Sequence, residues 1–206
     1  MAIIAIAAVF MTTQKGSIVA LIPIAGILCV QPMRQPARLR IAFIAFLVLC
    51  IALPLMTLGL HMEHGAGVFS TESIYLRIAY TWPEAWDWIV RHQMLVFGVG
   101  LGGIGGPQRL YAPDSFNPSD NIAVLLYAYF GIFAIVYAGL VSFLALRPVT
   151  GSIERVTPAL GVLAFAFGYG AVLSVIEDQS ASLFLGAAVG VLWRETRIST
   201  LPAEVS

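Results

Sequence analysis

Charge is scarce in this chain. Of its 206 residues, 11 are Lys or Arg and 11 are Asp or Glu, together 11%, where an ordinary soluble domain carries roughly 25%. With 59% apolar residues and a mean hydropathy of +0.90, the chain has too little polar surface to clothe one soluble core, and it reads as a membrane protein. The formal net charge is zero, so there is no basic face for nucleic acid. Cysteine is nearly absent: Cys29 and Cys50 both lie in apolar runs, make no disulfide framework and read as small buried hydrophobes. Histidine is equally sparse. His61, Glu63 and His64 form a single grouping of metal-ligand types, but two histidines make an incomplete site, so no metal and no cofactor is expected. The apolar residues 2–11 lack a basic n-region and an A-x-A-like site, which argues against a cleaved signal peptide. Internal repeats and low-complexity segments are missing too.

What remains is a series of long apolar runs. A spanning helix needs about twenty mainly apolar residues. Residues 39–60 and 121–146 meet that length, 157–175 form a third run, and 13–31 form a fourth if Lys15 snorkels to the interface with Pro23 as a kink. Residues 180–193 are shorter but end in Trp193 and Arg194, an interfacial pair, and 1–11 read as the tail of a further helix. The expected fold class is therefore all-α: a polytopic membrane protein of about five to six transmembrane helices, forming one transmembrane domain over 1–206. Arg34, Arg38 and Arg40 share one short loop, Arg147 and Arg155 another, and Arg194 and Arg197 the C-terminal tail. Alternating spans place all of these on one face, taken as cytoplasmic. Residues 61–120 then form a long outer loop, periplasmic in a bacterial inner membrane.

That loop is the main hydrophilic part, and any site must draw on it. Within it, TWPEAWDWIVRH at 81–92 opens with a Thr81–Glu84 capping box and Pro83 in the first turn. Its tryptophans suggest a helix at headgroup level. FGVGLGGIGGP at 97–107 contains G-x-G-x-x-G in Gly98, Gly100 and Gly103, with Asp120 about twenty residues on. A dinucleotide turn must open a helix, however, and Gly105, Gly106 and Pro107 cannot continue one. A turn where backbone approaches other backbone, or a ligand, fits better. Residues 107–120, rich in Pro, Asp and Asn, read as an ordered loop.

Three stretches in this order resemble the O-antigen polymerase/ligase family of bacterial inner-membrane glycan-assembly proteins. TTQKGSIVAL at 12–21 is similar to the family's Thr/Ser-x-x-Arg-Gly entry to a helix. RIAYTWPEAWDWIVRHQMLVFGVGLGG at 77–103 resembles its arginine, Trp-containing helix and Gly-Val-Gly-Leu-Gly turn. SDNIAVLLYAYFG at 119–131 resembles its His-Asn-x-x-Leu…Gly motif, where the outer loop re-enters a helix. The likeness runs over nearly the whole chain and corresponds to the C-terminal half of a usual member.

The resemblance implies an enzyme that moves a glycan from undecaprenyl pyrophosphate to an acceptor hydroxyl on the periplasmic side, without nucleotide sugar or metal. Its partners would be that lipid-linked glycan, the membrane lipids and a chain-length regulator or flippase of the same pathway. Carried over to this chain, Arg77 is a pyrophosphate clamp, its alternative being an interfacial arginine holding headgroups. Lys15 stands where the family has arginine and offers phosphate no bidentate fork; it equally suits a snorkelling anchor. Asp120 replaces the family's histidine. It is a base facing the acceptor, or the N-cap of the helix that follows. Arg91 and Arg109 are candidate donor or glycan contacts, or solvated loop residues. Trp82, with Tyr80 and Trp86, is a candidate platform for sugar faces, or all three form an aromatic belt, and Gly98 and Gly100 form the turn beside the substrate. Asp in place of His leans the reading toward polymerase over ligase. A transporter fragment, or a non-catalytic truncated membrane protein, remains the alternative.

Overall fold

The computed structural model describes residue 24 and residues 36–56, 75–149 and 151–197. The expectations for 1–11, for the 13–31 span with Lys15 and Cys29, and for His61, Glu63 and His64 lie outside the described residues. Within them every regular element is helical. The elements are α1 Ala37–Met56, α2 Trp82–Arg91, the single turn α3 Gln108–Tyr111, α4 Ile122–Phe130, α5 Ile132–Leu146, α6 Ile153–Gly170 and α7 Gln179–Arg197.

Among the described residues α1 is the one helix both long and apolar enough to cross a membrane by length and composition. Its Leu39, Phe43, Leu47 and Cys50 are buried. Phe43 meets Phe167 of α6 edge-on at 5.4 Å, and the Cys50 thiol donates to the Phe167 carbonyl at 2.7 Å. Cys50 is thus a buried small side chain, as its apolar context suggests. The opposite side of α1 leaves Ile41, Val48, Leu49, Ile51 and Leu55 exposed, and α5 does the same with Phe133, Ile135, Val136 and Phe143. So much contiguous apolar exposure is foreign to a water-facing monomer and ordinary against lipid tails.

The helix α1, the α4–α5 pair, α6 and α7 run alternately up and down. At one end the Arg40 guanidinium donates to the Arg147 carbonyl at 2.6 Å. Beside it Arg155 pairs with Glu195 at 3.1 Å, and Glu195 also accepts the Ser152 N–H at 3.0 Å. Toward the other end the start of α4 meets α1 and the cap of α6, through the Asn121 amide bonds to the Cys50 and Ala171 carbonyls, each 3.0 Å. Of the arginines expected to share one face, Arg40, Arg147 and Arg155 lie at one end of the bundle, and Arg34 lies outside the described residues.

The apolar run 121–146, expected as one continuous helix, is two. Gly131 breaks it at φ +55, ψ −130. In an unbroken helix the Ala128 carbonyl would accept from the Ile132 N–H. Instead the turn 96–99 is inserted between them: Val99 N–H donates to the Ala128 carbonyl at 2.6 Å, and Ile132 N–H donates to the Val96 carbonyl at 2.9 Å. Both groups freed by the break are therefore satisfied by protein, the condition for irregular backbone where water is scarce. Gly131→Ala is expected to cost about 1–3 kcal/mol from its conformation alone, and more because a Cβ there would collide with the Val96 carbonyl. Thermal unfolding of the detergent-purified variant measures this; unchanged melting would mean the break is not required.

The capping box expected at Thr81–Glu84 is also absent. Thr81 is helical (φ −59, ψ −48) and its side chain makes no cap, because the chain is already wound upstream in a π-turn, Arg77–Thr81. Trp82 N–H reaches back to the Arg77 carbonyl, a wider closure than the α-helical one. Pro83, which has no N–H to give the α-ladder, follows directly. A widened turn ahead of a proline inside a longer helix is the physical reading, and it begins at Arg77.

Candidate functional site

The candidate site is built on the loop 117–121. Ser119 and Asp120 both take positive φ, +55 and +41, a conformation uncommon for residues other than glycine. Hydrogen bonds hold them there: Ser119 N–H to Asn117 Oδ1 at 2.8 Å, Asp120 N–H to the Pro118 carbonyl at 2.7 Å, and Ser174 Oγ to the same carbonyl at 2.8 Å. The outcome is that Asp120 points away from the helix it precedes. Its Oδ2 lies 3.3 Å from Arg77 Nε, the two side chains 25% and 16% exposed. Burial pushes the Asp120 carboxyl above its ordinary value; the charge and hydrogen bond of Arg77 act against that shift.

The helix cap therefore falls to Asn121, not Asp120. Asn121 Oδ1 accepts the N–H groups of Ala123 and Val124 at 2.9 and 3.0 Å, while its Nδ2 serves α1 and α6 as described, the residue fully buried. Asparagine is as good a cap as aspartate and stands next to the apolar run, so a signal for it is present in the sequence. Asn117 is a second residue that sequence reasoning missed. Nearly buried, it donates from Nδ2 to the Thr81 carbonyl at 2.9 Å, and its N–H donates to buried Gln108 Oε1 at 2.8 Å. Asn117 thus joins the turn that bears Arg77 to the loop that bears Asp120.

The other expected site residues divide. Gly98, φ +75, lies against the backbone of Ala128 and Tyr129, where a Cβ would come within 2.6 Å, so its role is close backbone contact under α4. Gly100, φ +83, has open space around its missing Cβ and needs glycine for conformation alone. Trp82, expected as a sugar platform, is instead 2% exposed, packed inside, and presents no ring face to a sugar. Trp86 instead leans on Tyr127 at 5.4 Å. Arg91 is exposed, and its Nε donates to the Asp87 carbonyl of its own helix at 3.3 Å. Arg109 is exposed on α3 and stacks over Phe116, 4.2 Å from guanidinium carbon to ring centroid. Neither is brought to the Arg77–Asp120 pair by a described contact. Replacing Arg109 with alanine is accordingly expected to keep most glycan assembly; a loss matching that of an Arg77 variant, read on a glycan gel, would place it in the site after all. Among the described residues no three His, Cys, Asp or Glu side chains gather so as to hold a metal ion.

Beside the head of α4, an apolar cavity of about 240 Å³ lies between Leu47, Ile51, Leu55, Trp86, Tyr127 and Ile135. Ile51, Leu55 and Ile135 are each more than two-fifths exposed, so the cavity opens on the apolar outer side of α1 and α5. Ala123 and Val124 also line it, a few residues past Asp120.

These features define a helical membrane protein with a paired arginine and carboxylate at one end of its bundle, beside an apolar groove. A family model described as O-antigen ligase matches residues 1–139, more than half of the chain, and the protein belongs to that family. Members of the family are inner-membrane proteins that work with lipid-linked glycans. No curated protein and no solved structure matches the chain.

Proposed function

We propose that the protein is a membrane glycosyltransferase that polymerises or transfers undecaprenyl-pyrophosphate-linked glycan repeats on the periplasmic face, with polymerase favoured over ligase. The observation that carries this reading is the Arg77–Asp120 pair, at 3.3 Å, built from two separate stretches that the family resemblance had singled out. On this reading 1–206 is one multi-pass transmembrane domain with five to six spans (roughly twenty residues each), 61–120 is periplasmic, and the C-terminus is cytoplasmic. The gathering of Arg40, Arg147 and Arg155 at the opposite end of the bundle supports that orientation.

The chemistry needs an acceptor proton removed and a leaving pyrophosphate stabilised. A carboxylate beside an arginine looks self-defeating, since it would repel the phosphate. Timing resolves this. As the acceptor oxygen forms its bond to the sugar C1, its proton passes to Asp120, and the C1–O bond to pyrophosphate breaks. Asp120 is then neutral, and Arg77 exchanges one anionic partner for another as negative charge moves to the leaving group. A carboxyl held above its ordinary value by burial is the better proton acceptor for this, base assistance commonly giving ~10²–10⁴-fold. The groove beside α4 suits the isoprenoid tail, and Lys15 and Gly100 remain candidate contacts for the donor. A chain-length regulator or flippase would act alongside.

The test is a gel of surface and lipid-linked glycans from a strain lacking the gene, with and without the chain restored. Single repeats in place of a ladder, corrected by restoration, support polymerase. Full-length polymer accumulating on its carrier means ligase instead. An unchanged profile would sink the enzymatic reading.

A further inference from the structure

The connection between α6 and α7 lies beyond residues 1–139, the part matched by the family, yet it grips the site loop at two points. The first is Ser174, whose hydroxyl donates to the Pro118 carbonyl at 2.8 Å and lies 3.0 Å from Ser119 Oγ, next to Asp120. The second is Glu177. Its Oε1 accepts the Gly106 N–H at 2.7 Å and the Tyr129 hydroxyl at 2.9 Å. That same hydroxyl lies 3.1 Å from the Ile104 carbonyl. The carboxylate so fills the turn that a Cβ at Gly105 would collide with it, and Gly105 also takes φ +81.

From Glu177 a hydrogen-bonded path leads to both halves of the pair. Gly105 N–H donates to the Asn117 carbonyl at 2.8 Å. Asn117 then holds Thr81 of the Arg77 turn through its amide nitrogen and Ser119 through its amide oxygen. Without the carboxylate, the glycine-rich loop 98–106 keeps its conformational freedom and the N–H of Gly106 loses its acceptor. The pair depends on that loop for its spacing, because Ser119 and Asp120 sit in a conformation that persists only when their surroundings enforce it.

We propose that Glu177, assisted by Ser174, is a positioning residue: a clasp from the α6–α7 connection that fixes the glycine-rich loop and thereby the Arg77–Asp120 geometry. This rests on the reading of that pair as the reacting site. It explains why an acidic residue in a short outer connection turns its carboxylate onto backbone. It also gives the part of the chain past residue 139 a function in the site.

The experiment compares Glu177→Ala and Glu177→Gln in the full-length chain, purified in lipid nanodiscs, measuring turnover and KM with lipid-linked glycan. Arg77→Ala serves as the control. Glutamine retains an oxygen that can accept from Gly106 N–H and the Tyr129 hydroxyl; alanine retains none. The expected result is a fall in kcat of about ten- to a hundredfold for Glu177→Ala, the scale of a misplacement remote from the chemistry. KM should change little, and Glu177→Gln should keep most of the wild-type rate. Hydrogen exchange provides a reading independent of turnover: amides of 104–106 and 117–120 should lose protection in Glu177→Ala and keep it in Glu177→Gln. Wild-type kcat in Glu177→Ala, or equal loss in both variants, overturns the clasp, the latter because it would make the charge the active feature. If Glu177→Ala does not fold, Ser174→Ala with the same exchange measurement decides: unchanged protection of 117–120 overturns the proposal. Should Arg77→Ala retain full activity, it is the reading of the pair that has failed, a result distinct from each of these.

Discussion

Replacing Arg77 with alanine is expected to abolish glycan assembly, a loss of at least ~10²–10³-fold, the scale of removing one fixed donor from a site where negative charge develops. The side chain is mostly enclosed and its Nε faces Asp120 at 3.3 Å, so its charge acts in a setting with less water screening than a loop arginine has. Lysine at this position would keep the charge and lose the planar fork that matches phosphate oxygens. Arg77→Lys should therefore fall between wild type and alanine. Part of any alanine effect could come from stranding Asp120 without its counter-charge. The double variant Arg77→Ala with Asp120→Asn isolates that part: it should melt near wild type, so that any stability lost by Arg77→Ala alone is assigned to the stranded carboxylate. The glycan gel reads activity and a blot of membranes reads protein level. A normal ladder from Arg77→Ala would remove the clamp from the reading altogether.

The sequence made the large-scale features legible because they depend on solvent. A chain so poor in charge has to meet lipid, and the grouping of arginines in alternate short loops reports which ends of the helices share a face; Arg40 and Arg147 in contact carry that pattern into the fold. The glycine-rich stretch was legible in kind, as a close approach of backbones, and Gly98 against Ala128 and Tyr129 is that approach. Its target was not. Nothing in AYFGIFA announces that a turn from elsewhere in the chain will enter the helix at Gly131, since a lone glycine in an apolar run costs only about 1 kcal/mol in an intact helix. The hydrogen bonds that make the break worthwhile come from Val96 and Val99, far away in the chain.

The candidate site was legible by residue type and not by arrangement. Arg77 and Asp120 were both readable from the family resemblance. Their pairing depends on two backbone irregularities, the π-turn at 77–81 and the positive φ of Ser119 and Asp120, which local propensity does not encode. Asp120 and Asn121 are both good caps, and a single sequence cannot decide between neighbours when tertiary contacts do so. Here the buried carbonyls of Cys50 and Ala171, which need a donor, select the asparagine amide. Trp82 is another case: a tryptophan beside a proline in a hydrophilic loop looks interfacial, and only the fold shows it buried. Glu177 left no trace in the sequence beyond an acidic residue in an outer connection.

Asp120→Asn is expected to separate activity from stability, and this is the sharper test of a base. Burial holds the carboxyl above its ordinary value, so the fold favours its neutral form. The stability Asp120 contributes is present below its unfolded pKa, about 3.9, and lost as pH rises through the folded value. Activity has the opposite dependence. A base must be ionised, so turnover should fall as pH drops through the folded value, and that limb should begin at higher pH than for an exposed aspartate. Asparagine keeps an acceptor oxygen for Arg77 Nε and carries no charge to desolvate. Asp120→Asn should therefore melt close to wild type at neutral pH while losing ~10²–10⁴-fold in turnover, and the residual rate should lack the acid limb. In Arg77→Lys, where a less well-directed cation opposes the burial effect less strongly, the limb should move to still higher pH. A pH–rate profile in nanodiscs reads all three. If Asp120→Asn kept both its rate and its acid limb, the proton would go elsewhere; if it lost rate and stability together, Asp120 would serve the fold as a partner for Arg77 rather than act as a base.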